Sequence, residues 1–487
     1  MSFETSSITE EGKAVLTSSL IQPNITSRFI YDEPQENKFD DFVLTEIGIS
    51  ELFADMHKGK LKYNFDNNCW YIYDGTKWNI CKKNEISEVV KEWLQVIKSL
   101  PMFLSSESQK WLKANATRSK ISNILKLSNS NKNLATASNE FDLIPELINF
   151  TNGTYNLETS VLQPHNPDDM LTKIINFDYD ADAKCPHWLT FINRVVDNDQ
   201  NIIEYLQKAC GYSISGTVSE EKVFYVYGAG GNGKSVFFNI LMEIFKDFVI
   251  KTPTEMLLQK SFDGIPNDVV RMKGARMVVA AEMPENRNLN ESKLKDLSGG
   301  DALTGRYLFQ EYVEFKPMHS LWLYGNSKPK IVGTDNGIWR RIVILPFRVT
   351  IPDNERIPRH ILQANLLSNK QGIFNWLIEG LSKYNSQGLK LPAILVEEMN
   401  EYRASLDETV SFISDCCIID KKAECMGSDL VNSYETWCQN HGITSSGKKK
   451  LYEKLSNKGF EKCMTRAGHY TYFKGLRIRQ EATENEK

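Results

Sequence analysis

The sequence predicts an α/β fold with a central parallel sheet, preceded by a mixed α+β region and followed by a smaller, mainly helical unit. Three observations carry that expectation. Four short apolar runs, "KVFYVYG" (222–228), "RMVVAAE" (276–282), "HSLWLYGN" (319–326) and "RRIVILPF" (340–347), alternate with helical segments. Strands that are apolar at every position, not at alternate ones, are covered on both faces, as in a parallel sheet between helix layers. The first run also leads straight into "GAGGNGKS" (228–235) and the amphipathic "VFFNILMEIF". A glycine-rich turn between a strand and a helix is a phosphate-binding arrangement.

The bulk numbers set limits. A length of 487 residues suggests roughly three domains. With 41% hydrophobic and 25% charged residues the composition is that of a soluble globular protein. The net charge of −4 excludes a uniformly basic nucleic-acid coat, so a DNA-binding surface would be local. The start, "MSFETSSITEEGK", lacks a signal peptide's basic and apolar segments, and no run reaches the ~18 apolar residues of a membrane span. Nine scattered cysteines read as reduced thiols, which points to a cytoplasmic protein. Cys416, Cys417, Cys425, Cys438 and His441 lack the paired spacing of a zinc site.

Taken in order, residues 1–40 are polar and rich in Ser, Thr and Glu, and read as a disordered tail. Residues 41–205 form the expected α+β collar or oligomerisation domain. In it, "LKYNFDNNCWYIYDGTKWNI" (61–80) predicts a hairpin turning at Asp74-Gly75, and "ISEVVKEWLQVIKSL" (86–100) a helix. A second hairpin turns at Asn152-Gly153. Residues 206–385 hold the parallel sheet, and 386–487 the C-terminal unit, after a linker-like "SQGLKLP".

The chemistry is concentrated in the second block. Gly228, Gly230, Gly231, Asn232 and Gly233 let the backbone curl so that its N–H groups face phosphates, and the following helix N-terminus adds positive potential. Lys234 would reach the β- and γ-phosphates of ATP, and the Ser235 hydroxyl would ligate Mg²⁺. Glu282, at the end of "MVVAA", stands where a metal shell or an attacking water needs a carboxylate. Asn326, at the end of the next apolar strand, could bond the γ-phosphate or that water.

The order of the phosphate loop, "VVAAE", "SGGDALTGRYLFQEYVEFKP" (298–317), "LWLYGN" and "GIWRRI…PF" resembles the superfamily III helicases. Within them it is most similar to the poxvirus and satellite-phage primase-helicases carried by phages, plasmids and genomic islands. The resemblance covers roughly 40–380, and "TNGTYNLETSVLQPHNPDDMLTK" (151–173) is similar to the segment before the motor in that group. It implies an AAA+-like motor that forms hexameric rings, hydrolyses ATP and unwinds DNA by moving along one strand, with a primase available as a separate partner. By the same resemblance Glu282 matches the acidic motif and Asn326 the polar sensor. Relatives often place two adjacent acids at the acidic motif, whereas Ala281 precedes Glu282 here, with Glu285 a further carboxylate nearby. Arg340 or Arg341 matches an arginine that reaches the ATP of the neighbouring subunit. Adjacent residues of an extended segment would face opposite sides, leaving one to pair internally, for example with Asp335.

The segment between Glu282 and Asn326 matches a DNA-gripping hairpin, with Arg306 and Lys316 for backbone phosphates and Tyr307 or Phe309 for base stacking. At the C-terminus, residues 440–479 hold ten Lys or Arg against two Glu. There Lys450, Lys454 and Lys458 share one helical face by i, i+4 spacing. A helix, a basic helix and a hairpin carrying Arg466, His469 and Lys474 resemble a winged helix, whose basic helix would enter a major groove. Two other readings stay open: a bifunctional primase-helicase, and a DNA-binding phosphate-loop switch that does not unwind.

Overall fold

The computed structural model describes residues 44–82, 84–259, 267–283, 287–306, 312–331, 336–442, 445–465 and 470–479. The expected tail at 1–40 therefore lies outside the described residues.

The N-terminal region opens with α1 (Glu46–Met56), β1 (Leu61–Asn64), β2 (Cys69–Tyr73), β3 (Trp78–Ile80), α2 (Glu85–Ile97), α3 (Ser106–Asn115), α4 (Arg118–Ser128) and β4 (Ala135–Thr136). The β2–β3 hairpin turns at Asp74, whose carboxylate accepts the backbone N–H groups of Thr76 and Lys77. Aspartate caps a turn in this way because its side chain reaches backbone donors two and three residues on. The helices and the β3-β2-β1-β4 sheet enclose a core that includes Phe53, Trp93, Phe103 and Leu112. Next, β5 (Leu147–Phe150), β6 (Gly153–Asn156) and β7 (Val161–Gln163) form a small antiparallel sheet whose first turn is Thr151-Asn152, one residue before the expected Asn152-Gly153, because Gly153 already pairs with Phe150.

The central region runs α5 (Pro186–Val195), α6 (Gln200–Ser215), β8 (Val223–Tyr227), α7 (Lys234–Phe245), β9 (Val249–Thr252), α8 (Asn267–Val270), β10 (Met277–Ala281), α9 (Glu291–Ser298), β11 (Leu303–Gly305), β12 (Val313–Phe315), β13 (Ser320–Gly325), α10 (Asn336–Trp339), β14 (Ile342–Pro346), α11 (Arg359–Leu367), α12 (Lys370–Gln387) and α13 (Ala393–Ser405). Five strands form one parallel sheet in the order β14-β8-β13-β10-β9. Alternate residues of each strand enter different cores: Phe224, Val226, Trp322 and Val343 on one side, Val223, Tyr225, Leu321 and Ile342 on the other. Burial on both faces is why these strands read as unbroken apolar runs. Edge strand β9 escaped notice because "VIKT" is short and half polar.

The cores do not divide where the sequence suggested. The expected 205/206 boundary cuts α6, and α5, α6 and β5 all contribute to the core on one face of the sheet. The 385/386 boundary cuts α12, and α13 places Leu395 and Tyr402 in the two cores of the sheet. The reason is a close crossing of α6 and α12. A Cβ on Gly211 would lie 2.1 Å from the Leu381 nitrogen, and one on Gly380 would lie 2.1 Å from the Gln207 carbonyl oxygen. Only glycine at these points lets the two backbones touch.

The C-terminal unit comprises α14 (Glu408–Cys416), β15 (Cys417–Met426), α15 (Gly427–Asn440), α16 (Gly447–Asn457), β16 (Glu461–Met464) and β17 (Thr471–Ile478). Its antiparallel sheet has the order β15-β17-β16, and Phe412, Tyr434, Leu451 and Phe473 centre its own core. The hairpin and both helices of the basic region are present, whereas β15 was not expected. No helix of the described residues is long and apolar enough to cross a membrane.

The helix crossing yields a direct test. Gly380→Ala forces α6 and α12 apart and should cost about 1–3 kcal/mol. A thermal melt several degrees below wild type is expected, and an unchanged midpoint would show that the crossing can relax freely.

Candidate active site

The site is built at the C-terminal ends of the central strands. After β8, Gly228 must be glycine because a Cβ there would lie 2.1 Å from the Phe347 carbonyl oxygen. Gly233, with φ +85°, turns the chain into α7, and a Cβ would meet Val195 of α5 at 2.7 Å. The Asn232 amide spans the turn: Nδ2 donates to the Phe347 carbonyl at 2.9 Å, and Oδ1 accepts from Lys234 Nζ at 2.8 Å.

Lys234 is 5% exposed. Its ammonium donates to the Gly228 carbonyl at 2.6 Å and to Asn326 Oδ1 at 3.2 Å, beside the Asn232 contact. Every one of these acceptors is a neutral oxygen. Burial accordingly pulls the Lys234 pKa down to about 8.

Sheet order explains how the other expected residues meet the loop. β13 lies between β8 and β10, so Asn326, just past β13, falls between the phosphate loop and Glu282. The register pairs Ala281 with Tyr324, which places Glu282 level with Gly325. Glu282 adopts a left-handed φ of +58°. Tyr324 lines the cleft between the two sides with Ser235 and Glu282, and burial followed by the nearby Glu282 carboxylate raises its pKa. Gly230, Gly231, Asn232, Gly233, Lys234, Ser235, Glu282 and Asn326 together line one cleft of about 940 Å³. Glu285 lies outside the described residues.

Three arginines of this cleft, Arg194, Arg356 and Arg359, were not anticipated. Arg356 and Arg359 come from the segment after β14, the strand that flanks β8 on its other side. Arg356 is held by Asp353 at 2.5 Å and by the Ile351 carbonyl at 3.0 Å, and a Cβ on Gly231 would lie 2.5 Å from its guanidinium. The stretch "PDNERIPRH" carries no motif, and only the strand order brings it over the loop. Arg194 of α5 pairs with Glu355 and closes the same wall.

The arginine pair is elsewhere. Arg340 and Arg341 precede β14, at the end of the sheet opposite the phosphate loop. They occupy the turn between α10 and β14, not an extended segment, so both reach Glu221, at 2.8 and 2.9 Å. The expected opposite orientation is thus corrected, and Asp335 lies outside the described residues. Arg341 is buried and also donates to the Gly337 carbonyl, whereas Arg340 is exposed.

The remaining cations are mixed. β11 and β12 form the expected antiparallel ribbon. At its edge Lys316 is exposed and Arg306 lies 4.9 Å over the Tyr312 ring, while Tyr307 and Phe309 fall outside the described residues. On α16, Lys450 is exposed, but Lys454, and Lys458 just past the helix end, turn inward to Glu408 at 2.8 Å and Asp407 at 2.5 Å. Two members of the expected basic face are therefore neutralised within the unit. Lys474 lies along β17 beside Glu461, not at the hairpin tip, and Arg466 and His469 fall outside the described residues.

The Lys234 environment predicts a pH dependence for anion binding. An anion against the ammonium raises a pKa that starts near 8, so affinity is full below pH 8 and falls as pH rises through it. Calorimetry with inorganic tripolyphosphate should show weaker binding and net proton uptake at pH 9. Lys234→Arg, charged throughout, should flatten the profile, and a flat wild-type profile would contradict the assignment.

The family described as "D5 N terminal like" matches residues 50–197, and a family of unknown function, DUF5906, matches 226–341. A candidate helicase, L207/L206, of Acanthamoeba polyphaga mimivirus is 28% identical over 289 residues, covering 55% of this chain and 30% of that protein. A candidate helicase, 184R, of Invertebrate iridescent virus 6 is 27% identical over 230 residues, covering 45% and 24%. Primase D5 of Fowlpox virus is 21% identical over 235 residues, covering 45% and 29%. The chain thus spans less than a third of the length of each of these relatives. Its fold is similar to the apo structure of the NrS-1 C-terminal region (305–718), with a TM-score of 0.50 and 12% identity, covering 89% of this chain and 99% of that one. The chain is similar, over part of its length, to the family described as D5 N terminal like and to helicase- and primase-named proteins of large DNA viruses.

Proposed function

We propose that this chain is an ATP-driven DNA helicase of the replicative, initiator type, working as a hexameric ring on single-stranded DNA. One observation supports this most: a buried lysine ammonium bonded only to neutral oxygens, in a glycine cradle beside Glu282 and Asn326. Such a cation has its charge uncompensated until an anion arrives. A nucleoside triphosphate fits that requirement, with Arg359 adding positive charge along the same cleft.

In this reading the Gly230–Gly233 backbone and Lys234 hold the β- and γ-phosphates, and Asn326 orients the terminal phosphate or the attacking water. Ser235 and Glu282 are the residues that would hold Mg²⁺, which neutralises charge on the transferred group when bound. The strand-end position of Glu282 also suits it to accept the water's proton. Arg340, exposed at the far end of the sheet, is available to a neighbouring subunit, whereas Arg341, enclosed by Glu221 and Gly337, serves its own subunit.

DNA contact is proposed for the β11–β12 ribbon and the C-terminal unit. The order helix, strand, two helices, hairpin supports a winged-helix reading. Because Lys454 and Lys458 are engaged internally, Lys450 and its exposed neighbours Lys448 and Lys449 are the cations of α16 offered to phosphates.

Lys234→Ala should reduce ATP hydrolysis and forked-DNA displacement by about 10²-fold or more while duplex binding persists. Glu282→Gln should retain nucleotide binding and lose hydrolysis. Nucleotide binding by the wild type without DNA-stimulated hydrolysis would instead identify a phosphate-loop switch. The trans arginine is tested by mixing Arg340→Ala subunits with Lys234→Ala subunits, each inactive alone. Partial recovery of hydrolysis is expected, and its absence for Arg340→Ala and Arg341→Ala alike would assign both residues to structural pairing with Glu221.

A further inference from the structure

Behind the phosphate loop a buried carboxylate gathers three segments that the cleft uses separately. Glu398, on α13, is 7% exposed. Its Oε1 accepts from the Tyr227 hydroxyl at 2.5 Å and from Lys328 Nζ at 2.5 Å, and its Oε2 accepts from Arg348 at 2.7 Å. Each donor adjoins a working part of the site. Tyr227 immediately precedes Gly228, and Lys328 follows Asn326 by two residues. Arg348 follows Phe347, whose carbonyl anchors Asn232. One turn further along α13, the Tyr402 hydroxyl donates to the Pro329 carbonyl. Lys328 also lies 4.9 Å over the Tyr227 ring and 5.4 Å over that of Tyr402.

Burial opposes the Glu398 charge, yet the hydrogen bonds from Lys328, Tyr227 and Arg348 outweigh it and hold the carboxyl at about 2. The other end of α13 passes through Leu406 to Asp407 and Glu408, the two acids that hold Lys454 and Lys458 of α16. One helix, α13, thus leads from the Glu398 cluster beside the phosphate loop to the acids that hold Lys454 and Lys458.

We infer that Glu398 is a positioning residue for the phosphate site and that α13 carries the state of that site to the C-terminal unit. An incoming phosphate draws the Lys234 ammonium away from Asn326 and the Gly228 carbonyl. The two segments so released are the ones tethered by Tyr227 and Lys328. Releasing either donor would weaken the compensation of the buried Glu398 charge, so the adjustment passes to α13. This rests on the cleft being a nucleotide site.

Hydrogen exchange on the full chain, with and without a non-hydrolysable ATP analogue and Mg²⁺, tests it. In the wild type, nucleotide should slow exchange both in the loop (228–236) and in α13–α14 (393–416), the latter by about tenfold. Glu398→Gln should bind the analogue with affinity within about threefold of wild type, lose the α13–α14 response and lower kcat more than it alters KM. Tyr227→Phe, which keeps the carboxylate and both cations, should weaken the response partially and serves if Glu398→Gln does not fold. A loop response in the wild type without one in α13–α14 would overturn the inference, as would an undiminished α13–α14 response in the variants. Silence in the loop itself would remove the nucleotide reading and this inference with it.

Discussion

The central constraint of this protein is the confinement of one positive charge. Lys234 is buried at the start of α7 and shares its protons among the carbonyl of Gly228 and the amide oxygens of Asn232 and Asn326. Neutral oxygens satisfy its hydrogen bonds without cancelling its charge, which is the opposite of how buried lysines are usually stabilised. Holding an ammonium this way requires rigid acceptors. Asn232 is fixed by the Phe347 carbonyl, and Gly228 is pressed against the same residue. The β14-β8-β13 arrangement brings these acceptors together at this end.

Much of this was legible in the sequence because it depends on local rules. The phosphate loop, its strand and its helix follow from glycine placement and apolar runs, and the four expected strands appear in parallel register. The first N-terminal hairpin turns at the Asp-Gly pair that marks it, and the second turns one residue before its Asn-Gly pair. Glu282 and Asn326 could be picked out as strand-end polar residues, although only the strand order shows why they converge.

What the sequence concealed is non-local. Arg356 reaches the loop only because β14 pairs with β8, a neighbourhood no spacing rule reports. The i, i+4 pattern correctly aligned Lys454 and Lys458, but a helix face has no sign until its neighbours are known, and here Asp407 and Glu408 face it. Likewise, adjacency placed Arg340 and Arg341 on opposite sides only for an extended chain, whereas a turn brings both to Glu221.

The glycine contact between α6 and α12 has a consequence for how such a chain can be inherited. The helix entering the sheet and the helix leaving it meet backbone to backbone, so the central strands are not bounded by seams that recombination could cut cleanly. A crossover near 205 or 385 would part surfaces fitted to each other without side chains between them. Exchange of modules is far less disruptive at the junction after α13, where one core ends and another begins.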